Sequence, residues 1–138
     1  MNANANSALG AYKATKNQTG IEDASPHTLI TMLLDGALER TAEAKGALSR
    51  NDVATSGEAI GKAIGIVDSL RVSLDGEQGG EIAHNLSALY DYMTRRLLEA
   101  NATKDADMLG EVAGLLKEIK VAWDQIPADL HHVSYERE

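Results

Sequence analysis

The 138 residues include no cysteine. That excludes disulfides, thiolate metal sites and thiol nucleophiles. Phenylalanine is missing too, and aromatics make up only 4% of the chain. A core must therefore be built from Leu, Ile, Val, Met and Ala, which the 43% hydrophobic content permits. Proline occurs only at Pro26 and Pro127, so nothing between them forces a helix to break. No apolar run reaches the length of a membrane span, and the first residues lack the basic and apolar regions of a secretory signal. Positive charge is scarce: 13 Lys and Arg stand against 21 Asp and Glu, for a net charge of −8. Such a chain repels phosphate backbones, which argues against nucleic acid as a direct partner. The expectation is one cytoplasmic domain, with no membrane insertion and no cofactor.

What is present is a series of amphipathic segments. Ser25 and Pro26 suit an N-cap and the first helical position. Behind them Leu29, Ile30, Met32, Leu33, Leu34, Ala37 and Leu38 cover a broad arc, so this first helix needs covering on more than one side. It is expected over residues 26–48, with Asn51-Asp52 as turn and next cap. A second helix, residues 53–74, carries a heptad seam of Val53, Ile60, Val67 and Leu74, widened by Ala59, Ala63, Ile66 and Leu70. Arg71 falls in that seam, with its stem along the core or its charge in a buried pair. Residues 75–80 are glycine-rich, but no Lys-Ser/Thr follows and no strand precedes them, so they read as an interhelical loop. A third helix, residues 81–100, aligns Ile82, Leu86, Leu89, Met93 and Leu97. A fourth, residues 104–125 with Thr103 as a cap, offers Met108, Val112, Leu115, Ile119 and Ala122 as core seam. Beside it runs a second stripe, Leu109, Leu116 and Trp123, for another neighbour or an outer groove.

The fold expected is all-α: an antiparallel up-down four-helix bundle with a mobile N-terminal arm. The arm spans residues 1–23, the bundle 24–126 and a loose tail 127–138. In the arm, Leu9 and Tyr12 interrupt polar sequence, either incidentally or as residues that dock on the body. Gly57, Gly61 and Gly65 recur every fourth residue, each costing about 1 kcal/mol against Ala in a helix interior. They read either as drift or as the floor of a shallow groove. Tyr90 and Tyr92 either seal helix packing or offer the apolar area plus hydrogen bond of a binding patch. Arg96 points toward the apolar side, with Asp35 or Glu39 as candidate partner; Asp91 and Arg95 are spaced to pair on the surface.

Enzyme chemistry finds little support. Glu81-Ile82-Ala83-His84 has the Glu-x-x-His spacing of di-iron bundles, but such a site needs a second copy and two further glutamates. His84 remains the centre of the alternative reading, a phosphotransfer or metal-binding bundle. His27, in a first helical turn, is expected to be exposed, and the adjacent His131 and His132 make poor metal geometry.

Two stretches resemble a known family. Ala24-Ser25-Pro26, Leu29-Ile30, Met32-Leu33 and Asp35-Gly36-Ala37 resemble the first helix of the flagellar secretion chaperones FliS, although Leu34 stands where that family usually has tyrosine. Leu86, Ala88-Leu89-Tyr90-Asp91-Tyr92-Met93, Arg95-Arg96-Leu97 and Glu99-Ala100-Asn101 resemble its third helix. Ala11-Tyr12, the segments around the glycine-rich loop and Ala122-Trp123 extend the likeness over residues 11–123; the glycine row is not part of it. The resemblance implies a cytosolic, non-enzymatic chaperone. It would bind the disordered C-terminal segment of flagellin, keep it from polymerising and pass it to the flagellar export apparatus. It would act as a monomer or weak homodimer. Helix-in-groove contacts are then expected from Met32, Leu33, Tyr90, Met93 and Leu97, the glycine flank of Gly57, Gly61 and Gly65, and Leu9 and Tyr12 of the arm. A bundle that only self-associates is the remaining alternative.

Overall fold

The computed structural model describes residues 25–74 and 80–127. Leu9, Tyr12, His131 and His132 lie outside them, as do the expected arm, nearly all of the tail and most of the glycine-rich loop. The described residues form α1 (Pro26–Ser49), α2 (Val53–Val72), α3 (Gly80–Thr103) and α4 (Ala106–Asp124).

The starts of α1, α2 and α4 each have a local cause. The Ser25 hydroxyl accepts from the Thr28 N–H at 3.2 Å, with Pro26 next in line, so α1 opens where the sequence places it. At its end, Asn51 takes φ of +59°. The Asp52 N–H then returns to the Ala47 carbonyl and the Asn51 N–H to Leu48, which satisfies two orphan acceptors. The Asp52 side chain in turn accepts from the Thr55 N–H and caps α2. A three-residue link thus both ends one helix and starts the next. The α3–α4 link works the same way around Lys104, at φ +57°. Asp105, not Thr103, is the cap of α4; Thr103 instead donates to the Glu99 carbonyl inside α3. α3 runs past Ala100 to Thr103, the left-handed Lys104 ends it there, and α4 starts two residues later than expected, at Ala106. α2 stops at Val72, short of Leu74.

The helices meet around a square: α1 against α2, α2 against α3, α3 against α4, and α4 back on α1. Contacts at the ends fix the directions. His27 at the start of α1 meets Trp123 at the end of α4, and a Cβ on Gly57, early in α2, would sit 3.6 Å from Asn101, late in α3. Neighbours are therefore antiparallel, as in an up-down bundle. The α1–α2 pairing is the closest, and it is lined by Ala37, Ala44, Ala47, Ala59 and Ala63, all buried. Small side chains let the two helices approach. The α3–α4 pairing is the loosest.

The core contains Leu34, Ile60, Val67, Leu70, Met93, Leu97, Leu109, Val112 and Leu116, all fully buried. Two expected seams are rotated. On α4 the Leu109–Leu116 stripe is the core, while Met108, Leu115 and Ile119 are only half-buried and Ala122 is exposed. On α3 Ile82 is 73% exposed, Leu86 and Leu89 are half-buried, and Tyr90 and Ala100 join Met93 and Leu97 inside. The reason lies in the pairing: α4 turns its buried face toward α1, and α3 turns its own toward α2, so each turns partly away from the other.

His27 is not exposed as expected. It is buried, and its ring stacks on Trp123 with centroids 4.8 Å apart and planes 6° from parallel. Its Nε2–H donates to the Trp123 carbonyl at 2.8 Å, and the Trp123 Nε1–H donates to the His27 carbonyl at 3.0 Å. This reciprocal clasp ties the first turn of α1 to the last turn of α4. It accounts for Trp123 at the C-terminal end of the buried Leu109–Leu116 stripe.

Candidate functional site

Because α3 packs closely on neither flank, it borders two furrows. The first lies between α2 and α3. A Cβ built on Gly61 would meet nothing within 4 Å, while one on Gly57 would touch the Asn101 Oδ1. Gly57 thus faces α3, while Gly61, about 40° further round α2, faces open space at the edge of that pairing. In that register Gly61 is level with Leu97 and Leu98. Leu98 is 55% exposed, and Ile64 is half-buried on the α2 wall. Gly65 does not continue this floor: it is buried, whereas Gly61 is exposed. A row repeating every fourth residue drifts about 40° per step, so by Gly65 it has turned off the α3 side.

The second furrow lies between α3 and α4. On α3 the residues Ile82, Asn85, Leu89, Tyr92 and Arg96 follow a three-four spacing along one stripe. On α4 Glu111, Leu115, Glu118 and Ala122 do the same. The stripes face each other, because the Tyr92 hydroxyl donates to Glu111 Oε2 at 2.5 Å and Arg96 Nε donates to Glu111 Oε1 at 2.9 Å. Arg96 also pairs with Glu99 at 3.4 Å, and its guanidinium lies 5.9 Å from the Tyr92 ring centre. Its partner is thus Glu111 across the furrow. Asp35 instead pairs with Lys120, and Glu39 lies 4.0 Å from Arg40.

This bridge sets local electrostatics. Hydrogen bonding from Tyr92 first, then from Arg96, holds the Glu111 carboxyl below its usual range. The bond to Glu111, then burial, then the Glu111 charge push the Tyr92 phenol up. Both groups therefore keep their bonding forms at neutral pH. The bridge closes the furrow at one end. Beyond it the antiparallel register sets Leu89 across from Leu115 and Ile82 across from Ala122. Leu86 and Ile119 lie deeper, packed against the core. The arrangement presents apolar surface between polar rims.

The expected binding residues do not gather at these furrows. Leu33, Tyr90, Met93 and Leu97 belong to the core, at 3%, 4%, 0% and 0% exposure. Burial pushes the Tyr90 phenol up to about 12. Met32 is half-buried on α1, away from both furrows. Gly57 and Gly61 do line one. Furrow residues that sequence reasoning assigned to core seams are Ile82, Leu86, Leu89, Leu115 and Ile119. Leu98 is a further exposed residue with no place in the helical seams: it directly follows the core Leu97 and so faces elsewhere. His84 is exposed, and among the described residues no three His, Cys, Asp or Glu side chains group as a metal site.

Comparison with known proteins bears on what such furrows serve. The sequence profile of the family described as "Flagellar protein FliS" matches residues 8–130. This chain belongs to the FliS family. It is 50% identical over 121 residues to the flagellar secretion chaperone FliS of Salmonella typhimurium, covering 87% of this chain and 90% of that one. It is 48% identical over 119 residues to the flagellar secretion chaperone FliSB of Pseudomonas aeruginosa, covering 86% and 94%. The FliS of Vibrio cholerae is 42% identical over 126 residues, covering 91% and 93%. These relatives are named as chaperones rather than enzymes. No helix among the described residues is long and apolar enough to cross a membrane. In this FliS-family chain the departure at Leu34 is a core position, fully buried.

Proposed function

We propose that this chain is a cytoplasmic export chaperone for flagellin. It binds flagellin's disordered C-terminal segment along the two furrows flanking α3, prevents premature polymerisation and delivers the client to the flagellar export apparatus. It does so without catalysis, as a monomer or weak homodimer. The observation that carries this reading is the pair of half-covered apolar walls where α3 meets α4, in a chain whose relatives are named for flagellar secretion.

Energetics favour a client that spans both furrows. A segment that folds on binding loses roughly 2–5 kcal/mol in ordering. Micromolar affinity needs about 8 kcal/mol net, and a fully buried Leu-sized anchor returns about 1.5–3 kcal/mol. About four to nine anchors are therefore required. The five apolar residues of the α3–α4 furrow, Ile82, Leu86, Leu89, Leu115 and Ile119, meet only the lower part of that range, and the α2–α3 furrow adds to them. The test is isothermal titration of the full chain with intact flagellin and with flagellin lacking its C-terminal segment. Binding is expected only to the intact form; equal binding to both would reject the reading.

A further inference from the structure

We propose that the furrow between α3 and α4 receives a two-turn amphipathic helical segment whose apolar face is flanked by Lys or Arg. This rests on the client-binding reading above and names the chemistry that one of its furrows selects. The length follows from the geometry. The bridge of Tyr92 and Arg96 to Glu111 bounds the furrow at one end. From Leu89 to Ile82 the open wall is seven residues long, roughly 10 Å or two helical turns.

The charge preference follows from the rims. Glu118 lies seven residues beyond Glu111 and shares its stripe, which faces α3. Glu81 lies eleven residues, three turns, before Tyr92 and shares the face that meets α4. Both glutamates are exposed, and neither has an ion-pair partner among the described residues. Of the nearby cations, Arg96 is engaged with Glu111 and Glu99, Lys120 with Asp35 and Asp124 on the α1 side of α4, and Lys117 stands about 100° round α4 from Glu118, off the stripe that faces α3. An apolar cleft between two unpartnered carboxylates favours a guest with cations beside its greasy face and disfavours one with carboxylates there.

Two dye-labelled, covalently stapled helical peptides of about ten residues test this, since unstapled ones that short are not helical. They share one Leu/Ile face and carry either Lys or Glu on its flanks. Fluorescence anisotropy against the full chain should show the Lys peptide binding about tenfold tighter, with the gap narrowing as salt rises. The double variant Glu81→Lys, Glu118→Lys should invert the preference. Ile82→Asp should weaken both peptides about tenfold with an unchanged circular dichroism spectrum, because Ile82 is 73% exposed. Equal affinity for the two peptides, or indifference to Ile82→Asp, overturns the proposal. So would sedimentation showing a self-association that Ile82→Asp abolishes, because the furrow would then belong to a second copy. Flagellin titrated in parallel separates the two levels. Flagellin bound without peptide discrimination sinks only the charge assignment, whereas no flagellin binding sinks the chaperone reading itself.

Discussion

Leu97 and Leu98 are chain neighbours of identical chemistry with opposite assignments here, which makes them a sharp test. Leu97 is fully buried among the core side chains; Leu98 is 55% exposed, level with Gly61 in the α2–α3 register. Truncating a buried leucine to alanine removes its transfer free energy and leaves a cavity, together about 2–5 kcal/mol. Leu98 has less than half its surface covered and leaves no closed cavity, so Leu98→Ala should cost under about 1 kcal/mol. Urea titrations followed by circular dichroism measure both, and m should stay constant if only stability changes. For a chain of this size the thermal midpoint should fall by roughly 10 °C for Leu97→Ala and by at most a few degrees for Leu98→Ala. Flagellin titration should give the reverse order: Leu98→Ala weakens binding, while Leu97→Ala acts only through the folded fraction. Equal destabilisation by the two substitutions would refute the assignment of core and furrow on α3.

Three further outcomes follow from the same coordinates. A double-mutant cycle on His27→Ala and Trp123→Ala should give a coupling of about 1 kcal/mol, since the two rings stack with centroids 4.8 Å apart, while each ring's bond to the other's backbone carbonyl is lost in its own single variant; additive effects in urea denaturation would show that the stacking contributes nothing. Ultraviolet difference titration should place Tyr90 near its raised value of about 12. Because a raised phenol pKa favours the neutral form in the folded state, its contribution of about 3 kcal/mol is complete below pH 10 and is lost between about pH 10 and 12. A titration with Tyr90 ionising at the ordinary phenol value would contradict its burial. Lys104→Gly should raise stability by about 1 kcal/mol in thermal melts, and by more than Asn51→Gly, since lysine tolerates a left-handed backbone less well than asparagine; a loss would mean that the Lys104 bond to the Asn101 carbonyl outweighs the backbone strain.

The helices and their order were legible in the chain. Ser25-Pro26 and Asn51-Asp52 carry their own stop and start chemistry, which needs no tertiary partner. The apolar spacing then required four rods to share one interior. The resemblance in the first and third helices points to the flagellar chaperones from the residues alone. The binding surface was less legible. Met93 and Leu97 are apolar at the right spacing for either role, and a wide arc does not say which part of it is covered.

Only the packing made that choice. Local sequence determines where a helix begins and which broad side is greasy, because caps and periodicity act within a few residues. How far each helix rotates within that arc depends on its neighbours. Close α1–α2 packing over alanines and a loose α3–α4 contact turned α3 and α4 apart, sending Tyr90 inward and Ile82 outward. The His27–Trp123 clasp joins residues 96 positions apart, so it too is settled only by the tertiary fold.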